Sequence, residues 1–328
     1  MEKQSNVKNI WRGIDKEFSQ AFKESVLFKL YQEHKDELII GVRNNYLNLY
    51  YNCDSIARIE YLKTTGKFKC DIANYYLGDG KGRSQINPIE LCDRYDEITN
   101  RMDEDKTRSS QEKKAQSKLV LLNNLNEKSN WYCIDVEYVK SFNNKPEKKE
   151  ANFNARFDII ALSKNKPHRV ALIELKYGNS AIGGNSGIYK HVKDFSNFQE
   201  MGYFENHLQY EITEIVRSLK DLDIPVPFET PMKVDILNPE FFFITLNNNA
   251  KENASTPKQT MAGYLFNKPR WGCKRLTTKE SVEKRICDIT RKENKFYATF
   301  LFSKQILGNI MINDIIDIEQ YDDIELPK

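Results

Sequence analysis

Three charged side chains stand in two strongly apolar segments, at positions where a buried strand favours valine or leucine. Asp158 lies near the start of NARFDIIALS, and Glu174 and Lys176 lie near the end of HRVALIELKYG. Side chains alternate between the two faces of a strand, so Glu174 and Lys176 share a face. Carboxylates beside an ammonium group are suited to binding a hard divalent cation and to stabilising charge on a phosphoryl group.

The two segments predict a β-hairpin, because only a short polar turn, KNKP, separates them. The start of the first strand then lies beside the end of the second, which places Asp158 near Glu174. Two carboxylates in a half-buried cleft repel each other, and a magnesium ion relieves that repulsion. Lys176 would orient a metal-bound water or offset charge in the transition state. We therefore predict a catalytic metal site at this end of the hairpin.

Other polar side chains are expected near the same site. The preceding strand segment, WYCIDVEYVKSF, places Asp135 and Glu137 two residues apart and hence on one face. The helix before it places Glu112 on the same apolar stripe as Leu119. The candidates for supporting the site or contacting a substrate are Asp135, Glu137, Gln116, His191 and Arg156.

The candidate residues lie in a predicted order of helix, three strands, helix and strand. The order begins at SQEKKAQSKLVLLNNLNEK and ends at PEFFFITLN, and the first predicted strand follows the opening helix directly. In the preceding hundred residues, one amphipathic helix, with Phe18, Phe22, Val26 and Leu30 on one stripe, and four strand segments predict a small antiparallel sheet. The charged stretch between them, residues 78–110, is interpreted as a loop followed by a linker or a solvated helix.

Asp158, fifteen intervening residues, and Glu174-Leu175-Lys176 resemble the motif of the restriction-endonuclease-like PD-(D/E)XK nuclease superfamily. The resemblance covers the chain from about residue 109 to residue 246. Phe157 occupies the position at which the name of the motif has proline. It implies an α/β core in which helices flank a mixed central sheet. The first hundred residues lie outside it, so we expect an N-terminal α+β domain at 1–105 and a nuclease-like domain at 106–328.

The resemblance also implies roles for individual residues. Asp158, Glu174 and the backbone carbonyl of Leu175 would bind the metal, and Lys176 would be the catalytic lysine. Glu112 matches an acidic position on the first core helix and would be a further ligand. The implied activity is Mg²⁺-dependent hydrolysis of phosphodiester bonds in nucleic acid, with DNA favoured over RNA and with Mn²⁺ able to substitute.

The same residues also have plainer interpretations. Glu174 and Lys176 could form an ion pair at the surface, Asp158 could cap a turn, and Glu112 could be an ordinary exposed helix residue. Asp135 and Glu137 could lie on an exposed edge, and a lone histidine on an apolar stripe, such as His191, is commonly a core residue. The alternative function is a non-catalytic nucleic-acid-binding or protein-interaction module that keeps the fold. A weaker alternative is a hydrolase of another phosphorylated compound.

Composition restricts the class of protein. The 328 residues have a formal net charge of +3, and no apolar run is long enough to cross a bilayer. The six cysteines are scattered without C-x-x-C spacing, which argues against a zinc or iron–sulfur site. With no apolar leader segment, we expect a cytoplasmic protein without membrane contact. Basic residues around Trp271 in NKPRWGCKRLTTKE suit nucleic acid, and the N-terminal domain would support a homodimer or bind a protein partner.

Overall fold

The computed structural model describes residues 12–140, 155–177, 188–229, 239–246, 286–291 and 294–302. Contacts divide the chain into two compact units. Unit 1 consists of Met1–Ser117, Ile134–Val136 and Glu205–Ile236, and unit 2 of Lys118–Cys133, Glu137–Phe204 and Leu237–Lys328. Unit 1 therefore includes two segments from far along the chain. The predicted single boundary near residue 105 stays a prediction.

The sheet of unit 1 has five strands in sequence order, and each strand is antiparallel to its neighbours. The four predicted strands are present, as β1 (Leu38–Val42), β2 (Tyr46–Tyr51), β3 (Asp54–Leu62) and β4 (Lys67–Ala73). A fifth strand, β5 (Arg83–Ile86), begins within the segment predicted to be a loop. Its short length and polar residues, RSQI, give little strand signal, and pairing with β4 stabilises it.

The predicted first helix is two helices, α1 (Lys16–Lys23) and α2 (Val26–Glu33). The break occurs because Ser25 is extended and its Oγ accepts a hydrogen bond from the N–H of Phe28, which makes it the N-cap of α2. Phe18 and Phe22 are buried, whereas Val26 is 37% exposed. Of the four residues in the stripe that suggested one helix, Val26 at the break is therefore the exposed one, and Leu30 beyond it is buried.

The stretch interpreted as a linker or solvated helix is part of the core of unit 1. A short helix, α3 (Asn74–Leu77), precedes it, and α4 (Pro88–Asp93) and α5 (Tyr95–Glu104) form within it. The side chains of Leu91, Tyr95, Ile98 and Met102 are buried. Their spacing of three or four residues is the helical stripe that the surrounding charges obscured.

Unit 2 contains most of a six-stranded sheet. Its helices and strands are α6 (Arg108–Leu125), β6 (Trp131–Lys140), β7 (Ala155–Ser163), β8 (Val170–Tyr177), α7 (Ile188–Glu200), β9 (Glu240–Leu246), β10 (Ile286–Arg291) and β11 (Asn294–Phe302). A π-helix (Phe204–Leu208) and α8 (Gln209–Asp221) follow α7. Both α6 and β6 contribute residues to both units, and α8 belongs to unit 1.

The six-stranded sheet is mixed, in the order β10-β11-β9-β8-β7-β6. β7 is antiparallel to β8, β9 is parallel to both β8 and β11, and β10 is antiparallel to β11. All eight residues of β8 are buried, as the apolar pattern on both of its faces predicts. The fold is thus mixed α/β, with one antiparallel sheet and one mixed sheet, and the predicted hairpin of β7 and β8 is present.

Candidate active site

The hairpin brings Asp158 and Glu174 together. Ile159 pairs with Ile173 across β7 and β8, so the next opposed positions are Asp158 and Glu174. Asp158 Oδ2 accepts a hydrogen bond of 2.7 Å from the backbone N–H of Leu175. This contact ties the start of β7 to the end of β8, where the short turn between the strands predicts that Asp158 lies near Glu174.

Glu174 and Lys176 form a buried ion pair. Their relative exposures are 2% and 7%, and Lys176 Nζ lies 2.5 Å from Glu174 Oε1. Charged groups are almost never this buried unless they are paired. The alternative interpretation, an ion pair exposed at the surface, therefore does not describe this contact.

His191 joins the pair from α7. Its Nε2 lies 3.0 Å from Glu174 Oε1, the oxygen that Lys176 also contacts. One turn later on the same helix face, the buried ring of Phe195 packs against Phe157 and Phe243, at centroid distances of 5.0 and 5.1 Å. Phe157 precedes Asp158, and Phe243 pairs with Glu174 in the sheet. The aromatic contacts therefore anchor α7 where its histidine meets the glutamate.

Phe157 occupies the place of the motif's proline, and it has a packing role. Its ring is buried and contacts those of Tyr138, Phe195 and Phe198. An apolar aromatic here holds β7 against α7, immediately before the carboxylate of Asp158. The departure from the motif thus leaves the backbone of Asp158 well supported.

The two carboxyl groups have pKa values that move in opposite directions. Burial alone would raise the pKa of Glu174, but the hydrogen bond from His191 and the charge of Lys176 outweigh it and leave the pKa below its usual value. Burial raises the pKa of Asp158 well above its usual value, and the negative charges of Glu174 and Glu137 raise it further. Lys176 and the Leu175 N–H offset only part of that rise. Metal-free, the site therefore stabilises the negative charge of Glu174 more than that of Asp158.

Glu137 and Asp135 have different neighbours, although alternation predicted one shared face. Glu137 has a φ of 51°, in the left-handed region that residues with side chains adopt rarely. Such a residue interrupts the regular alternation of a strand. Glu137 influences the pKa of Asp158, whereas Asp135 is 1% exposed and accepts a 2.7 Å hydrogen bond from Arg43 Nη1 within unit 1. No feature of the sequence signals this irregularity in β6.

The remaining candidate residues lie on α6 and β7. Glu112 is half-buried, Gln116 is buried, and both belong to unit 1. The Oε1 atom of Gln116 has no hydrogen-bond partner among the described residues. Arg156 is exposed on β7. Their roles as ligand, support or substrate contact stay predictions.

The fit of a metal ion depends on the oxygen atoms of the hairpin. Within the described ranges, no three His, Cys, Asp or Glu side chains are grouped closely enough to hold a metal ion. Asp158 and Glu174 offer two carboxylates, and the Leu175 carbonyl is a further oxygen ligand of the kind that Mg²⁺ prefers. The raised pKa of Asp158 shows that its negative charge lacks compensation. A cation at this carboxyl would supply it, so the donor set fits a hard divalent ion.

The basic segment around Trp271, which is predicted to suit nucleic acid, lies outside the described residues. Among the helices that the structure describes, none combines the length and apolar composition needed to cross a membrane.

No family model, no curated protein and no solved structure matches the chain. The resemblance to the nuclease superfamily therefore depends on the spacing of Asp158, Glu174 and Lys176 and on the elements that contain them.

Proposed function

We propose that the chain is a metal-dependent nuclease that hydrolyses phosphodiester bonds in nucleic acid, with DNA as the favoured substrate. The proposal depends on one observation. Asp158 and Glu174 are opposed across a hairpin, and a lysine two residues after Glu174 contacts it inside the protein. A buried ion pair beside a second, half-buried carboxyl group is costly to fold and is therefore unusual without a function.

The order of elements supports a restriction-endonuclease-like core. Helix α6 precedes β6, β7 and β8, and helix α7 leads towards β9, which lies beside β8 and parallel to it. A parallel strand after an antiparallel hairpin requires a crossover connection, and helices α7 and α8 lie in it. Apart from the additional helix α8, this order agrees with the α-β-β-β-α-β order that the sequence predicts.

Asp158, Glu174 and the Leu175 carbonyl would hold Mg²⁺, or Mn²⁺ in its place, and Glu112 is proposed as an additional ligand. When bound, the ion would polarise a phosphoryl oxygen and lower the pKa of a coordinated water. Both carboxyl groups would bind the ion in their ionised form, and its charge would offset the effect of burial on Asp158.

Lys176 is the proposed catalytic cation. Its ammonium is buried beside Glu174, where low polarity strengthens its interaction with negative charge. There it would orient the attacking water and offset the charge that develops on the phosphoryl oxygens. The apolar side chains around β8 would exclude bulk water from this end of the strand.

A second candidate function has one observation in its favour. Glu174 Oε1 already contacts both Lys176 and His191, so the pair is satisfied as a structural ion pair without a metal. On that view the chain is a non-catalytic module that binds nucleic acid or protein. A cytoplasmic location and a partner bound through the N-terminal domain belong to both proposals.

Incubation of the purified chain with supercoiled plasmid, single-stranded DNA and RNA separates these candidates. We expect cleavage with Mg²⁺ or Mn²⁺ and none with a chelator. Lys176→Met should lower the rate by about 100-fold or more, since it removes one group that stabilises the transition state. Lys118→Met, at an exposed position of α6, is the matched control and should retain full activity.

The outcomes distinguish the proposals. Nucleic acid that stays intact with every metal, while binding is retained, would support the non-catalytic module. Cleavage that persists equally in Lys176→Met and Asp158→Asn would show that the activity belongs to another site or to a contaminant.

A further inference from the structure

Two donors converge on one oxygen of Glu174. Lys176 reaches Oε1 from the next position on the same strand face, and His191 reaches it from α7 at 3.0 Å. The glutamate is 2% exposed, so these contacts replace most of its hydration. Lys176 has a flexible stem of four carbons, whereas the histidine ring is rigid and comes from a different element.

The hydrogen positions follow from the charges. Glu174 Oε1 is paired with the ammonium of Lys176, and a carboxylate in such an ion pair only accepts hydrogen bonds. The hydrogen of the contact therefore resides on Nε2 of His191. Its other nitrogen, Nδ1, is buried and has no hydrogen-bond partner within the described part of the chain. Among the described residues, the contact with Glu174 is thus the polar interaction of this ring.

The helix holds the ring at this place through packing. Phe195 lies four residues after His191 and is buried between the rings of Phe157 and Phe243. These two aromatic residues neighbour the candidate metal ligands along β7 and across to β9. A shift of α7 would therefore break apolar contacts before it moved the histidine away.

Building on the proposed function, we propose that His191 is a positioning residue for metal binding. Its Nε2–H holds the carboxylate of Glu174 in the orientation that metal binding requires. Partners of this kind, which hydrogen-bond a ligand rather than the metal, commonly change metal affinity by about 10–100-fold when they are removed.

Three substitutions of His191 in the full chain distinguish the effect of its hydrogen-bond donor from the effect of its ring. Glutamine places its amide nitrogen close to where histidine has Nε2, whereas asparagine places it close to Nδ1. We expect His191→Gln to bind Mn²⁺ within about threefold of the wild type. His191→Leu and His191→Asn should both bind about 10–100-fold more weakly. Calorimetric titration with Mn²⁺ measures this, and circular dichroism checks that each variant is folded.

A nuclear magnetic resonance spectrum of the metal-free, ¹⁵N-labelled protein tests the contact directly. The chain has four histidines, and the spectrum of His191→Gln identifies the signals of His191 in ¹⁵N-labelled protein. We expect a hydrogen on Nε2, and a ring in which Nε2 bears none would overturn the proposal.

The results also separate this inference from the proposed function. If the wild type binds Mn²⁺ and all three variants bind it equally well, the positioning role is wrong and the metal site stands. If the wild type binds no Mn²⁺, the metal-dependent function fails, and this inference fails with it. If His191→Leu does not fold, the comparison of glutamine with asparagine still decides the question, since both are polar and of similar size.

Discussion

Asp158 and Glu174 show how neighbouring groups can shift the pKa values of two carboxyl groups in opposite directions. Glu174 has two cationic or donating neighbours, Lys176 and His191, which keep it ionised despite burial. Asp158 has a backbone donor but faces two other carboxylates, so its charged form is disfavoured. Pairs of acids with separated pKa values are a common feature of active sites.

The raised pKa of Asp158 predicts an effect on stability. An unfolded chain loses this proton near pH 3.9, whereas the folded chain retains it to higher pH. The folded state is therefore progressively destabilised between those two values, and the full penalty applies above the folded pKa. Asp158→Asn removes the charge and can still accept the Leu175 hydrogen bond. We expect it to raise the Tm of metal-free protein at pH 8, by about 2–4 °C per kcal/mol gained.

The difference in Tm between Asp158→Asn and the wild type should become smaller as the pH falls towards 4, because the wild-type carboxyl is then protonated. Asp36→Asn, at an exposed turn, is the control and should leave the Tm unchanged. Mn²⁺ should stabilise the wild type and not Asp158→Asn. An Asp158→Asn protein that melts below the wild type at pH 8 in chelator would contradict the assignment of unrelieved charge.

Among the elements, the hairpin of β7 and β8 was predictable because it is local. Both strands are apolar runs, the turn is short, and the two-residue period determines which side chains oppose each other. The division between α1 and α2 was not predicted, because the hydrophobic stripe of Phe18, Phe22 and Leu30 continues across it. A single serine side chain decides the division, through a hydrogen bond to the backbone.

Ser25→Ala tests that account. Alanine cannot accept the hydrogen bond from the Phe28 N–H or donate the one that Ser25 Oγ makes to the Phe22 carbonyl at 2.6 Å. We expect a loss of about 1 kcal/mol in the free energy of unfolding, measured with urea. Ser25→Thr retains the hydroxyl and should lose much less. An alanine variant with an unchanged midpoint would show that the cap does not determine the break.

The helices α4 and α5 show a second limit of sequence patterns. Charged residues surround Leu91, Tyr95, Ile98 and Met102, so the average polarity of the segment suggests solvation. Burial depends on the stripe rather than on the average, since one apolar face is enough to pack a helix.

At the scale of the whole molecule, unit 1 depends on residues distant in sequence. Arg43, which directly follows β1, donates 2.7 Å and 2.8 Å hydrogen bonds to Asp135 and to the Val136 carbonyl. Ser218 on α8 accepts a 3.1 Å hydrogen bond from the N–H of Ile14. The first hundred residues therefore obtain essential partners from later segments.

Asp135→Ala should destabilise the protein strongly. It leaves the buried guanidinium of Arg43 without its carboxylate, and loss of one member of a buried pair typically costs about 3–5 kcal/mol. The matched control is Asp71→Ala, which removes the partner of Arg83 in an exposed pair and should cost less than about 1 kcal/mol. Equal effects of the two substitutions on chemical denaturation would contradict a structural role for Asp135.

An isolated fragment of residues 1–105 should not fold cooperatively. It contains the five-stranded sheet but lacks Asp135, Ser218 and helix α8, all of which belong to unit 1. We expect a broad, weak thermal transition and little protection of backbone amides from hydrogen exchange, with the full chain as the control. A sharp transition with protected strands would show that the N-terminal region is an independent domain.

The sequence by itself determined the strands β7 and β8 and the opposition of Asp158 and Glu174, because neighbouring segments and a two-residue period are enough for that. Only the tertiary structure decided that His191 meets Glu174, that Asp135 pairs with Arg43, and that Glu137 interrupts β6. Arg43 and Asp135 are 92 positions apart, and Ile14 and Ser218 are 204 apart. Contacts across such distances depend on how whole helices and strands pack, and no local pattern of residues specifies that packing.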